Sequence, residues 1–228
     1  MTSNVKQLNT NVILNGEKLS LVDTTIFLGI TLDAKLQWSP HISKLASRFS
    51  SAAYAVKKIR SLTSVETARL VYFSYFHSIM SYGILLWGYA ADTEIIFVLQ
   101  KRAIRVIYDL KPKESLRQKF KKINILTLAS QYIYENVMYV HKNKSSFTKI
   151  SDIPSVNTRN RHKLVVPVTR LHRVSNSFLG RCIHFYNKIP ENIQNLTCSK
   201  FKNFIKLSLY KKGYYSIKEF IDDNNPWK

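Results

Sequence analysis

From Leu70 to Ala91 the chain runs 22 residues without Asp, Glu, Lys or Arg, and this stretch limits the possible folds more than any other. At about 1.5 Å of rise per residue a helix of that length could cross the hydrocarbon core of a bilayer. The run must therefore enter a membrane or be buried by the rest of the chain. It contains His77, three serines (Ser74, Ser78, Ser81), four tyrosines (Tyr72, Tyr75, Tyr82, Tyr89) and two glycines (Gly83, Gly88). That set suits lipid poorly, and Tyr82-Gly83 reads as a helix end midway. The expectation is a buried helix followed by a loop, with no membrane partner.

The flanking segments supply what could bury it. Ser39-Pro40 marks a helix start, an N-cap hydroxyl followed by a proline at the first helical position, and the helix should run to about Arg60. Within it Ile42, Leu45, Phe49, Ala52, Ala53, Val56 and Ile59 recur at three- and four-residue intervals, while Lys44, Arg48, Ser51 and Lys58 fall opposite. One face is core and the other cationic. Thr63-Ser-Val-Glu66 matches a capping box opening a second helix through about Tyr82, apolar nearly all round and so expected to be central. A third helix, about Glu94 to Leu110, is apolar except for a ridge of Glu94, Lys101 and Arg105 with Arg102 alongside. Such a ridge either faces water or presents cations to a groove.

Ahead of these helices, residues 11 to 33 read as three strands: NVIL, EKLSLV and IFLGITL. Asn15-Gly16 between the first two is a strong hairpin signal, because both residues tolerate positive φ. In the third run Ile26, Leu28, Ile30 and Leu32 alternate onto one face. After Lys111-Pro112 the composition turns basic and polar. Thr127 is positioned to cap a helix to about Lys142, and further helices are expected near 177–188, 199–211 and 216–222, the last opened by Ser216-Ile-Lys-Glu219. Between Asp152 and Glu191 there are no acids but seven bases: Arg159, Arg161, Lys163, Arg170, Arg173, Arg181 and Lys188. The expected fold is mainly α with a small N-terminal antiparallel β-meander over 1–35. A helical bundle follows over 36–111, then a basic, mostly helical C-terminal domain over 112–228.

Charge indicates the partner. Thirty-five Lys and Arg against 14 Asp and Glu give a formal net charge of +21, which calls for a polyanion. A composition 45% hydrophobic excludes a disordered basic arm as the whole molecule. Cys182 and Cys198 form no disulfide framework, and the polar MTSNVKQLNTN start has no export signal, so an intracellular site, nuclear or cytoplasmic, is expected. His172, Cys182, His184 and Cys198 match no common zinc spacing. Clustered Tyr72, Phe73, Tyr75 and Phe76 fall at helical spacing and read as core rather than as base-stacking groups.

Several pieces, in order, resemble the end of the polymerase region of non-LTR, LINE-type retrotransposon proteins of the jockey-like group. They are Phe27-Leu-Gly-Ile-Thr-Leu-Asp33, Leu36-Gln-Trp38-Ser-Pro-His41-Ile42, Tyr82-Gly83, Trp87-Gly88 and Leu99-Gln-Lys-Arg-Ala-Ile-Arg105. Thr158-Arg159, Pro167, Phe185-Tyr-Asn-Lys-Ile-Pro190 and Phe201-Lys202 are similar to that family's region beyond the polymerase. The resemblance spans about residues 11 to 222. It implies that 1–35 is the end of a reverse-transcriptase palm, with Phe27, Leu28, Gly29 and Ile30 at the primer-grip segment, and that 36–111 is the thumb. A thumb holds a template–primer duplex by its backbone, so Lys44, Arg48, Lys58, Lys101, Arg102 and Arg105 would be phosphate contacts, binding RNA or DNA duplex without sequence preference.

Reverse transcriptases polymerise through carboxylates that hold two Mg²⁺ ions. The resemblance places the family's paired aspartates, on an aromatic-Ala-Asp-Asp hairpin, upstream of the segment seen here. No catalytic or metal-binding residue is therefore assigned, Mg²⁺ is expected only for the complete polymerase, and a palm-bearing chain is a further expected partner. Phe220-Ile-Asp222-Asp223 imitates that hairpin but follows a capped helix in a polar tail, and reads as solvated acids. The competing reading is a relic whose helices form an interaction module with no nucleic-acid role.

Overall fold

The computed structural model describes residues 12–153, 159–167 and 178–227. The fold is mainly helical, with two short N-terminal hairpins in place of the expected three-strand meander. Strands β1 (Ile13–Leu14) and β2 (Glu17–Lys18) form the first, turned by Asn15 and Gly16 at φ 51° and 82°. β3 (Thr24–Phe27) and β4 (Ile30–Asp33) form the second. The run IFLGITL is thus two strands and not one: Leu28 and Gly29 adopt φ 47° and 76° and reverse the chain between Phe27 and Ile30. Leu28 accordingly leaves the expected face and stands at the tip, exposed.

Helix α1 spans Ser39–Leu62 and α5 spans Thr93–Ile107. The expected N-cap is displaced. Ser39 is already helical, Trp38 occupies the cap position in the left-handed region, and the Asp33 carboxylate accepts the N–H groups of Gln37 and Trp38 at 2.9 and 2.8 Å. Ser39 Oγ instead donates to Asp92 at 2.5 Å, joining the start of α1 to the cap of α5. At the far end Arg60 Nε donates to the Ile107 carbonyl at 3.0 Å. Start lies by start and end by end, so the two helices run parallel. Ile42, Leu45, Phe49, Ala52 and Val56 of α1 are buried, with Ile96, Ala103, Ile104 and Ile107 of α5.

Between them the uncharged run forms α2 (Val65–Val71), a π-helical turn (Tyr72–His77) and α3 (Ser78–Ser81). Its cap is Ser64, one residue later than expected: the Ser64 hydroxyl accepts the Thr67 N–H, while Thr63 closes the end of α1 and donates to the Ile59 carbonyl. The helix is not buried all round. Tyr72, Phe76, Ile79 and Met80 are core, whereas Leu70, Phe73 and Tyr75 are exposed. Gly83, at φ 63°, ends it as expected, and α4 (Ile84–Trp87) follows. Among the described residues no helix is long and apolar enough to cross a membrane.

α6 (Arg117–Ile123) precedes α7 (Leu128–Lys142), which is capped as expected by Thr127 accepting the Ser130 N–H at 3.1 Å. Then come α8 (Phe178–Asn187), α9 (Glu191–Gln194), α10 (Cys198–Lys212) and α11 (Ile217–Asp222). α7 is buried on nearly every side and packs against α4, α5, α8, α10 and α11. One apolar cluster therefore continues from Ile42 to Trp227. Gln100 of α5 crosses residue 111 within it, hydrogen-bonding the Leu126 carbonyl and the Leu128 N–H.

Candidate nucleic-acid interface

Because Ile42, Leu45, Phe49 and Val56 turn inward, helical geometry sends Lys44, Arg48, Ser51 and Lys58 outward, and all four are exposed. Their base is fixed by His41. This imidazole is buried, edge-on to Trp38 and Trp87, and its Nδ1 accepts the Thr31 N–H at 3.3 Å, holding β4 against α1. Burial, then Arg48 and Lys44, hold its pKa below the usual histidine value. A neutral ring beneath a cationic stripe leaves all the positive charge at the surface.

The α5 cations face a different neighbour. Lys101 lies 4.6 Å over the Phe97 ring and lines a groove of about 700 Å³ with Phe97, Tyr215 and Lys218. Arg105 Nη2 donates to the Glu114 carbonyl at 3.3 Å. Beside them Arg117 pairs both nitrogens with Glu219 at 3.0 and 2.9 Å and stacks 4.3 Å over Tyr215. Arg102 is exposed. The structure thus brings Lys44, Arg48 and Lys58 onto one line of α1, and Lys101 and Arg105 onto the side of α5 that meets α6 and α11. The groove between α5 and α11 was not legible from sequence, since its walls are more than 100 positions apart.

Residues 27–30 form a hairpin tip. Phe27 and Leu28 are 64% and 73% exposed, while Ile30 is buried against Gly83. The Tyr82 hydroxyl donates to the Leu28 carbonyl and ties the tip to the end of α3.

Among the described bases between Asp152 and Glu191, Arg181 and Lys188 serve the fold. Arg181 is buried against the Tyr89 ring, and Lys188 donates to the Phe220, Ile221 and Asp223 carbonyls at the end of α11. Arg170 and Arg173 lie outside the described residues, as does His172. Cys182 is buried and its thiol pushed up to about 12 by that burial, whereas Cys198 and His184 are exposed. Among the described residues no group of three or more His, Cys, Asp or Glu could hold a metal ion.

The Asp222-Asp223 pair is divided. Asp222 is exposed, but Asp223 accepts Lys212 Nζ at 2.8 Å and the Tyr214 hydroxyl at 2.7 Å. Those bonds, Lys212 first, hold its carboxyl at about 2, below the ordinary 3.8. A depressed folded pKa stabilises the fold above the ordinary value, and that contribution is lost as pH falls through about 2. The expected result, read by thermal melts across this window, is that Asp223→Asn lowers the melting temperature at neutral pH and narrows its gap from the parent as pH approaches 2.

Comparison with known proteins supplies the context for these features. The chain is similar to a probable RNA-directed DNA polymerase from transposon BS of Drosophila melanogaster, 34% identical over 101 residues, which is 42% of this chain and 11% of that protein. The chain is distantly homologous to a retrotransposon RNA-directed DNA polymerase. It corresponds to about a tenth of the relative's length. No family model and no solved structure matches it.

Proposed function

We propose that this chain is the palm end, thumb and following domain of a retrotransposon reverse transcriptase, and that it grips a nucleic-acid duplex by its phosphates. The observation that carries this is the exposed cationic line of α1, Lys44, Arg48 and Lys58, on a helix whose other face is core. Distant homology to an RNA-directed DNA polymerase supports it, as does the net charge of +21. Lys101 and Arg105, on the side of α5 toward α6 and α11, and the exposed Arg102 would offer further phosphate contacts apart from the α1 line. Cations on rigid helices neutralise phosphates without reading bases, so RNA and DNA duplexes bind alike in sequence preference. Residues 1–35, 36–111 and 112–228 take the roles of palm end, thumb and following domain.

A second reading rests on the N-terminal hairpins, where Ile13, Leu21 and Leu28 are 65%, 76% and 73% exposed. So much apolar surface marks an interface, which here would seat the remainder of a palm. The two readings part on salt. For phosphate binding, fluorescence anisotropy with an RNA–DNA duplex should give a log–log salt slope of about −0.9 per phosphate contacted. Lys44→Glu with Arg48→Glu should weaken binding about tenfold or more and flatten the slope by about two. Association that ignores both salt and these substitutions refutes the grip and favours the apolar interface.

A further inference from the structure

Beyond α7 the chain assembles a second cationic feature to which α1 and α5 contribute nothing. Lys144, Lys149, Arg159, Arg161 and His162 line one pocket of about 410 Å³, with Glu191 as its carboxylate. Glu191 pairs with His162 at 3.8 Å and also attracts Lys144, one carboxylate among four Lys and Arg side chains. The neighbouring Asp152 is already engaged, accepting the Lys149 backbone N–H at 2.8 Å and the Ser151 hydroxyl at 3.1 Å. Burial and then Lys149 hold the pKa of Lys144 below the usual lysine value. Like charges crowded round a polar cavity repel, and an anion between them relieves that repulsion.

The frame beneath these side chains is braced. Ile150 and Ser151 donate their N–H groups to the carbonyls of Lys163 and Arg161 at 2.9 and 3.0 Å, and Val165 donates to Thr148 at 2.9 Å. The Asn187 side chain takes both the N–H and the carbonyl of Leu164 at 2.9 Å. Lys144 Nζ donates to the Gln194 carbonyl at 3.2 Å, joining the end of α7 to α9. The bracing holds residues 148–151 in register with 161–165, so Lys149 and Arg161 line the pocket from a fixed frame.

We propose that this pocket binds a phosphate group. Two planar guanidinium forks with two ammonium groups match a polyvalent, tetrahedral oxyanion better than a single carboxylate. The phosphate comes from a nucleic-acid strand or from a free polyphosphate, and the same chemistry recognises either. The proposal does not depend on the duplex grip, because it is read with no duplex present.

The test is calorimetric titration of the full chain with sodium pyrophosphate at low salt. Saturable binding is expected in the parent and in Lys44→Gln/Arg48→Gln, and binding weakened about tenfold or more in Arg159→Gln/Arg161→Gln. Equal binding in that double variant overturns the proposal. Should its circular dichroism differ from the parent, Lys149→Gln decides in its place, weaker binding supporting the pocket and unchanged binding refuting it. Competition with a single-stranded oligonucleotide identifies the source: displacement of pyrophosphate assigns the pocket to nucleic acid, and its absence assigns it to a free polyphosphate.

Discussion

A Gln100→Leu protein is expected to lose about 3 kcal/mol or more of stability, because one buried amide satisfies three other polar groups. Gln100 is fully buried. Its amide nitrogen donates to the Tyr72 hydroxyl and to the Leu126 carbonyl, both at 2.9 Å, and its oxygen accepts the Leu128 N–H at 2.9 Å. Leu128 opens α7, so its N–H has no partner within the helix. Leucine keeps the shape and abandons all three groups in an apolar interior, at about 1–3 kcal/mol each. Urea unfolding measures the difference. Tyr72→Phe, which removes a single hydroxyl, should cost only about 1 kcal/mol. A Gln100→Leu midpoint within error of the parent's would mean that these groups find other partners. The same bonds tie α5 to α7 across residue 111, so the loss should be felt on both sides as one cooperative transition.

Gly88→Val should unfold the chain, and Gly88→Ala should cost about 1–3 kcal/mol through overpacking. The reason is space. Gly88 has an ordinary right-handed φ of −65°. A Cβ there would lie 2.4 Å from Tyr132 Cδ2 and 2.6 Å from the Ile84 carbonyl oxygen. That oxygen cannot withdraw, since it accepts the Gly88 N–H at 2.7 Å, and Tyr132 is held in the middle of α7. For a chain of this length each kcal/mol moves the melting temperature by about 2–4 °C. A melting temperature for Gly88→Ala equal to the parent's would show that α4 slides away from α7 at no cost.

Where an element was set by local chemistry, the sequence revealed it. Asn15-Gly16 turned a hairpin, Thr127 capped α7, and the three- and four-residue spacing of α1 separated core from cations. Where a distant contact decided, it did not. Leu28 takes a left-handed turn that leucine rarely adopts, and the Tyr82 hydroxyl on its carbonyl helps hold it there. At the start of α1 the Asp33 carboxylate accepts the Gln37 and Trp38 N–H groups, while the hydroxyl of Ser39, expected to cap, donates to Asp92 instead. In sequence Arg181 and Lys188 are simply two of seven bases, yet one lies against Tyr89 and the other closes α11. Long basic side chains can bury their stems while keeping a polar end satisfied, so composition alone does not separate the two fates. The cations of α1 were legible because periodicity exposes them. Those of the pocket beyond α7 were not, because Lys144, Arg161 and His162 come to line one cavity only through tertiary folding.

Parallel packing of α1 and α5 has an electrical consequence. Two aligned helix dipoles reinforce each other, with positive poles together at one end of the pair and negative poles at the other. Both poles are quenched on site: carboxylates of Asp33 and Asp92 stand at the amino ends, and the single guanidinium of Arg60 serves the carbonyls of Ile107 and Thr63 at the carboxyl ends, at 3.0 and 3.2 Å. The pair therefore projects little field along its axis. Under the proposed grip, attraction for a polyanion would come from the flank of α1, and a duplex drawn to it would arrive broadside.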